Sequence, residues 1–277
     1  MLIFYDNKGY SMKIYISVDM EGITGVNHWD EVTKDKSEYS DAQTQMTAEV
    51  AAACRGAFKA GAKEIVIKDA HDTGRNILAS GLPENTKLIR GWSGHPLGMV
   101  QEIDKSFDAV MMIGYHSRAY GDGNPLAHTW SSSAIAAVSI NGKFVSEYAM
   151  HMMAAEYYGV PTVLVSGDQG LADEIHDWNS HVKAVVTKEG IGNSTVNIHP
   201  ETAIRLIESE AKKVLSKPFE RCHNPLSDSF KIEIQFKTHM KAYRAGHYPG
   251  AYKVDAHTIG FKSDDYYEIM RFTFFAF

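Results

Sequence analysis

Asp19 and Glu21 stand two apart in the run KIYISVDMEG, residues 13–22. Residues i and i+2 of a strand point to the same side, so both carboxylates emerge on one face where the strand ends. Two adjacent carboxylates repel, and each raises the pKa of the other unless a cation sits between them. Further chemistry-bearing residues follow in the same kind of place. Asp69 and His71 close the segment IVIKDAH, His116 closes AVMMIGYH, Asp168 closes TVLVSGD, and Glu147 follows Ser146 at a helix start. Imidazole mixed with carboxylate is the ligand set of Zn²⁺, or of Mn²⁺ and Fe²⁺ in more oxygen-rich sites. The spacing contains no HExxH helix, so the ordinary zincin arrangement is not expected.

The elements that must position these residues are readable from periodicity. Ile14, Ile16 and Val18 alternate with Lys13, Tyr15 and Ser17, the period of a strand entering a core. Short apolar strands are expected at 65–67, 87–90, 108–113 and 161–166. After a polar loop over 28–39, Asp41 reads as the N-cap of a helix running to about Ala60, stopped by Gly61. Asn141-Gly142 reads as the type I′ turn of a hairpin over 134–145. A helix follows from Ser146 to about Tyr158, and Asp168 reads as a cap for the next. Strands alternating with helices predict an α/β fold, a mostly parallel central sheet with helices on both faces. In such sheets ligands bind beyond the carboxyl ends of the strands. From about residue 191 to 277 a helix at 201–215, a strand at 231–236 and a helix opening at Ser263 predict a smaller α+β annex, leaving residues 12–190 as the metal-binding α/β part. Residues 1–11, ahead of Met12, read as a short N-terminal extension.

Composition bounds the class of function. The 277 residues are 44% hydrophobic and 22% charged, as in an ordinary globular chain. A net charge of −6 without a long Lys/Arg run argues against nucleic-acid and anionic-membrane partners. Two cysteines, Cys54 and Cys222, form no CxxC and fit a reducing cytoplasm. The opening MLIFY lacks the features of a secretion signal, and no run approaches membrane-spanning length.

SVDMEG over 17–22, Asp69-Ala70-His71, Gly114-Tyr115-His116-Ser117-Arg118, Ala127-His128-Thr129 and Ser146-Glu147, followed by YYGVP at 157–161, resemble the successive motifs of the DppA-type bacterial D-aminopeptidases. The resemblance runs in order from Met12 to about Asp168 and weakens beyond. It implies a binuclear zinc peptidase in which Asp19, Glu21, His71, His116 and Glu147 hold two divalent metal ions, with Asp19 as the bridge. His128 is then the catalytic imidazole, outside the metal ligands. It also implies a homo-oligomer, a ring of ten subunits with sites facing an inner channel. Ala70 and Ala127 replace serines frequent in the family, and the 121–125 loop departs in length and sequence.

The resulting expectation is a cytoplasmic metallo-aminopeptidase that removes the N-terminal residue, a D-amino acid, from a short peptide by a metal-activated water. Two other readings stay open. One is a dinuclear metallophosphoesterase, which favours an Asp-x-His opening motif; Asp69-Ala70-His71 has that form, but on the second strand and without phosphate contacts. The other is a non-catalytic metal- or peptide-binding module, which has no use for His128. Of the remaining histidines, His151 falls four after Glu147 on the same helical face and is a candidate to support it. The others, His223 among them, show no carboxylate at ligand spacing and read as surface or hydrogen-bonded residues.

Overall fold

The computed structural model describes residues 11–276. The expected N-terminal extension therefore lies, but for Ser11, outside the described residues. The strands are β1 (Lys13–Val18), β2 (Glu64–Asp69), β3 (Thr86–Ile89), β4 (Ala109–Tyr115), β5 (Ile135–Ile140), β6 (Lys143–Phe144), β7 (Thr162–Asp168), β8 (Lys183–Ile191), β9 (Ser194–Asn197), β10 (Phe230–Phe236), β11 (Tyr252–Lys253) and β12 (Thr258–Ser263). The helices are α1 (Trp29–Val32), α2 (Tyr39–Lys59), α3 (Glu147–Tyr157), α4 (Gln169–Trp178), α5 (Pro200–Leu215), α6 (His239–Ala245) and α7 (Tyr266–Ala276).

Seven strands form one sheet in the order β3-β2-β1-β4-β7-β8-β9. All neighbours are parallel except β8 and β9, which form an antiparallel edge hairpin. β4 and β7 are buried along their whole length, the signature of strands covered on both faces. From β1 the chain crosses through α2 to β2 on one side. From β4 it proceeds through α3 to β7 and through α4 to β8 on the other. Right-handed crossovers in opposite directions place α2 on one face and α3 and α4 on the opposite one. The α/β fold expected from the sequence is thus present, with its topological switch point at β1 and β4.

Backbone fit at this switch point is close. Asp19 N–H donates to Ile113 O and Gly22 N–H to Gly114 O, each at 2.8 Å. A Cβ on Gly22 would stand 1.7 Å from Tyr115 O, so only glycine lets the two strand ends approach.

A second, antiparallel sheet has the order β11-β12-β10-β5-β6. Its β5–β6 turn carries Asn141 at φ 51° and Gly142 at φ 81°, as a type I′ turn requires. The hairpin between α3 and β4 thus joins β10, almost a hundred residues later, instead of the main sheet. Conversely β9, which follows residue 191, completes the main sheet, so both sheets draw on both sides of that point. α7 packs against α3, with the Tyr266 hydroxyl donating to Met150 O at 2.8 Å. Tyr266, Ile269, Met270 and Phe272 are buried, whereas Phe274 and Phe275 face outward.

Some boundaries differ from expectation. α2 begins at Tyr39, two residues before Asp41, which lies in its first turn rather than at its cap. The predicted loop over 28–39 contains α1, closed by a capping box in which His28 and Glu31 each accept from the backbone of the other. Ser263 ends β12 and α7 opens at Tyr266.

Candidate active site

Three imidazoles and three carboxylates meet beyond the carboxyl ends of β1, β2 and β4. Asp19 and Glu21 leave β1, His71 follows β2, His116 follows β4, and Glu147 opens α3. Ser146 caps α3 by accepting from Ala149 N–H, which turns Glu147 inward at the helix start. His128 arrives from the loop between β4 and β5. His71 Nδ1 faces Asp19 Oδ1 at 3.2 Å and Glu21 Oε2 at 3.0 Å. His116 Nε2 lies 3.6 Å from both Asp19 Oδ2 and Glu147 Oε2. His128 Nε2 lies 3.7 Å from Glu147 Oε1 and 3.9 Å from Glu21 Oε1, and its ring stacks on His116 at 4.4 Å.

Each imidazole has one nitrogen tied to a backbone carbonyl and the other aimed into the cluster. His71 Nε2 donates to Val32 O at 2.7 Å, His116 Nδ1 to Ser117 O at 2.8 Å, and His128 Nδ1 to Leu126 O at 2.8 Å. This is the outer-shell arrangement that fixes the tautomer of a metal-ligating histidine and leaves the second nitrogen's lone pair for the ion. Asp19 Oδ2, Glu21 Oε2 and His116 Nε2 are buried and make no hydrogen bond among the described residues. Buried polar atoms left unpaired are costly, and a cation would satisfy all three. Three overlapping groups bring candidate ligand atoms within 4.8 Å of one another: Asp19 with Glu21 and His71, Asp19 with His116 and Glu147, and Glu21 with His116 and His128. The donor set therefore fits divalent ions, and Asp19, Glu21 and His116 each belong to two groups.

Of themselves, the side chains neutralise the cluster with protons. Burial pushes Asp19 well above the usual carboxylate range, and the charge of Glu21 adds to this. Burial would raise Glu21 too, but His71 and the other imidazoles hold it well below. Burial would raise Glu147 as well, but His116 and His128 together bring it down to about 2. Against the pull of burial, the carboxylates push His71 well up and His116 to about 10. Only His128 goes the other way, lowered by burial and then by the charge on His116. Metal ions and these protons compete for the same lone pairs.

Asp69 and Asp168, also at strand ends, do not enter the cluster. The Asp69 carboxylate accepts from Asn76 N–H, Asn76 Nδ2 and Ile77 N–H, pinning the loop after His71. Asp168 caps α4 through Leu171 N–H, and also accepts from Ser117 and Asn124. His151 lies directly below the cluster, its Nδ1 on Glu147 O at 2.7 Å and its Nε2 accepting from Met99 N–H. His223, which shows no acidic partner in sequence, pairs with Glu156 at 2.6 Å.

Three supports were invisible in sequence. Trp130, at φ +59°, donates its N–H to Glu147 Oε1 at 2.6 Å. The carbonyls of Val32 and Leu126 orient two of the imidazoles. Buried Lys188 donates to Glu21 O and Val26 O, holding the turn that carries Glu21. A cavity of about 360 Å³ opens on His128, with Trp29, Tyr120 and Lys237 in its lining.

A histidine–carboxylate cluster at the switch point of a parallel sheet defines a metallohydrolase-type centre. Comparison with known proteins narrows the class. The D-aminopeptidase family model matches residues 12–275. A D-aminopeptidase of Bacillus subtilis (strain 168) is 30% identical over 267 residues, covering 93% of each chain. The structure of the Zn-dependent D-aminopeptidase DppA from Bacillus subtilis, described as a self-compartmentalizing protease, superposes with a TM-score of 0.89 at 27% identity over 96% of both chains. The chain belongs to the D-aminopeptidase family, and is an enzyme of the hydrolase class.

Proposed function

We propose that this protein is a zinc-dependent aminopeptidase that removes an N-terminal D-residue from short peptides, with Asp19, Glu21, His71, His116 and Glu147 holding two divalent ions in each chain. The observation that carries this reading is the trio of imidazoles, each anchored by one nitrogen and presenting the other to buried, unpaired carboxylate oxygens. Zinc suits the three-imidazole, three-carboxylate donor set. Ions held by these residues would supply Lewis acidity toward a water and the scissile carbonyl.

The chain's own residues supply the rest. Burial lowers the pKa of His128 below the ordinary imidazole value. With Nδ1 donating to Leu126 O, its Nε2 lone pair takes a proton from the attacking water and passes it to the leaving amine as the C–N bond breaks. Trp29, edge-on to His128 at 5.3 Å, walls the imidazole from solvent on that side. The inclusion of His128 Nε2 in a candidate ligand group with Glu21 and His116 favours a second reading, in which His128 is itself a ligand.

The same reading makes the protein a homo-oligomer, a ten-subunit ring like that implied by the family motifs, and places it in a reducing cytoplasm. The self-compartmentalizing description of the structural neighbour supports assembly. The two buried, free cysteines, Cys54 and Cys222, support the compartment. Among the described residues no helix is long and apolar enough to cross a membrane. Sedimentation of the purified protein should show a single large species, and a stable monomer at micromolar concentration would exclude the ring. Turnover of paired D- and L-dipeptides with and without metal tests the activity.

A further inference from the structure

The cavity that opens on His128 has an asymmetric charge. One wall is His128 itself, behind which lie Glu21 and Glu147. Most of the remaining lining is aromatic, small or hydroxylic: Trp29, Tyr120, Pro125, Ser132 and Ser133 among others. Lys237 is the one Lys or Arg in that lining, and no Asp or Glu belongs to it. At about 360 Å³ the cavity sits at the small end of the range for ligand pockets, about 300–1,000 Å³.

Lys237 is placed there by the second sheet. It follows the last residue of β10, where the pairing with β5 shifts register at Gln235 and Phe236. Its N–H donates to Ala134 O at 2.8 Å, and its Nζ donates to Ser132 O at 2.5 Å. One contact to a carbonyl leaves this exposed ammonium group two further N–H donors. Among the described residues Lys237 forms no ion pair within 4.0 Å. A cation held over a cavity, without a carboxylate of its own, is suited to an anionic group of the ligand.

Resting on the aminopeptidase reading, we propose that Lys237 is a specificity-determining residue that binds the C-terminal carboxylate of the substrate. The enzyme is thereby directed to free di- and tripeptides rather than to the ends of long or C-terminally blocked chains. In this assignment the scissile bond lies beside His128 and the terminal carboxylate at Lys237, two residues that line the same cavity. A longer peptide must lead its chain past Lys237 and loses the charge pairing.

The test compares a D-dipeptide free acid with its C-terminal amide, using the metal-loaded full chain. The ratio of kcat/KM for the acid to that for the amide should be about tenfold or more for the native enzyme, the scale of one charge-assisted hydrogen bond. The difference should lie in KM, because in this assignment Lys237 holds the carboxylate and neither the scissile carbonyl nor the leaving nitrogen. In Lys237→Gln the ratio should collapse toward one, and Lys237→Arg should restore most of it. Equal use of acid and amide by the native enzyme would overturn the proposal while leaving the aminopeptidase reading intact. So would a Lys237→Gln variant that keeps the native ratio. Turnover of neither substrate would instead sink the aminopeptidase reading, and this proposal with it.

Discussion

At the scale of single residues, the weight falls on the imidazole nitrogens that face the cluster. The strand-end positions of Asp19, Glu21, His71 and His116 could be read from sequence, because a parallel sheet gathers the carboxyl ends of its strands. Which end residues turn inward could not. Asp69 and His71 are equally placed in sequence, yet Asp69 is fully taken up by Asn76 and Ile77. Asp168 was legible as a helix cap because its signal is local. His128 is where the two readings of the site diverge. If its Nε2 moves protons and holds no ion, His128→Ala should keep its metal and fold while turnover of a good D-dipeptide falls by roughly 10²-fold or more. His116→Ala should lose metal, since its Nε2 faces two carboxylates. Metal content and kcat measured on both variants decide the matter. Loss of metal from both makes His128 a ligand, and full activity in His128→Ala removes its catalytic role.

At the scale of elements, the turn carrying Glu21 is clamped between α2 and β8. From α2, buried Glu49 accepts from Thr24 N–H at 3.1 Å; from β8, Lys188 reaches the carbonyls of Glu21 and Val26. Burial raises Glu49 to about 7 and lowers Lys188 to about 8. The folded chain therefore holds the Glu49 proton more tightly than the unfolded chain does. Between about pH 4.5 and 7 the native state binds more protons, so Glu49 makes stability fall as pH rises through that window and level off above it. Glu49→Gln removes the ionisation and keeps an acceptor for Thr24. Relative to the native protein it should be near neutral at pH 4.5 and more stable at pH 8 by on the order of 2–3 kcal/mol. Denaturant melts at both pH values check this, and an equal effect at both would refute it. None of this clamp was legible, because Glu49 and Lys188 sit 139 positions apart and look like ordinary surface charges. The start of α2 was misplaced for a related reason: Asp41 is a good cap residue, but the chain turns helical at Tyr39, whose hydroxyl is held by Asn76.

At the scale of the whole molecule, the main sheet was legible as alternating strands and helices, whereas the second sheet was not. Antiparallel pairing of β5 with β10 joins segments far apart in sequence, and periodicity carries no record of which strand pairs with which. That pairing nevertheless shapes the cavity, since it brings Lys237 to the side of His128. The molecule thus combines a switch-point cluster built by one sheet with a cavity wall to which the other contributes. The central claim is that this cluster works as a metal-dependent D-aminopeptidase centre. Its most direct test is turnover of paired D- and L-dipeptides by chelator-treated protein as zinc is returned. The account predicts negligible activity without metal, D-dipeptide turnover that rises and levels at about two zinc ions per chain, and much slower use of the L-peptide. Undiminished turnover after verified removal of metal, or no D-dipeptide hydrolysis at any zinc level, would contradict it.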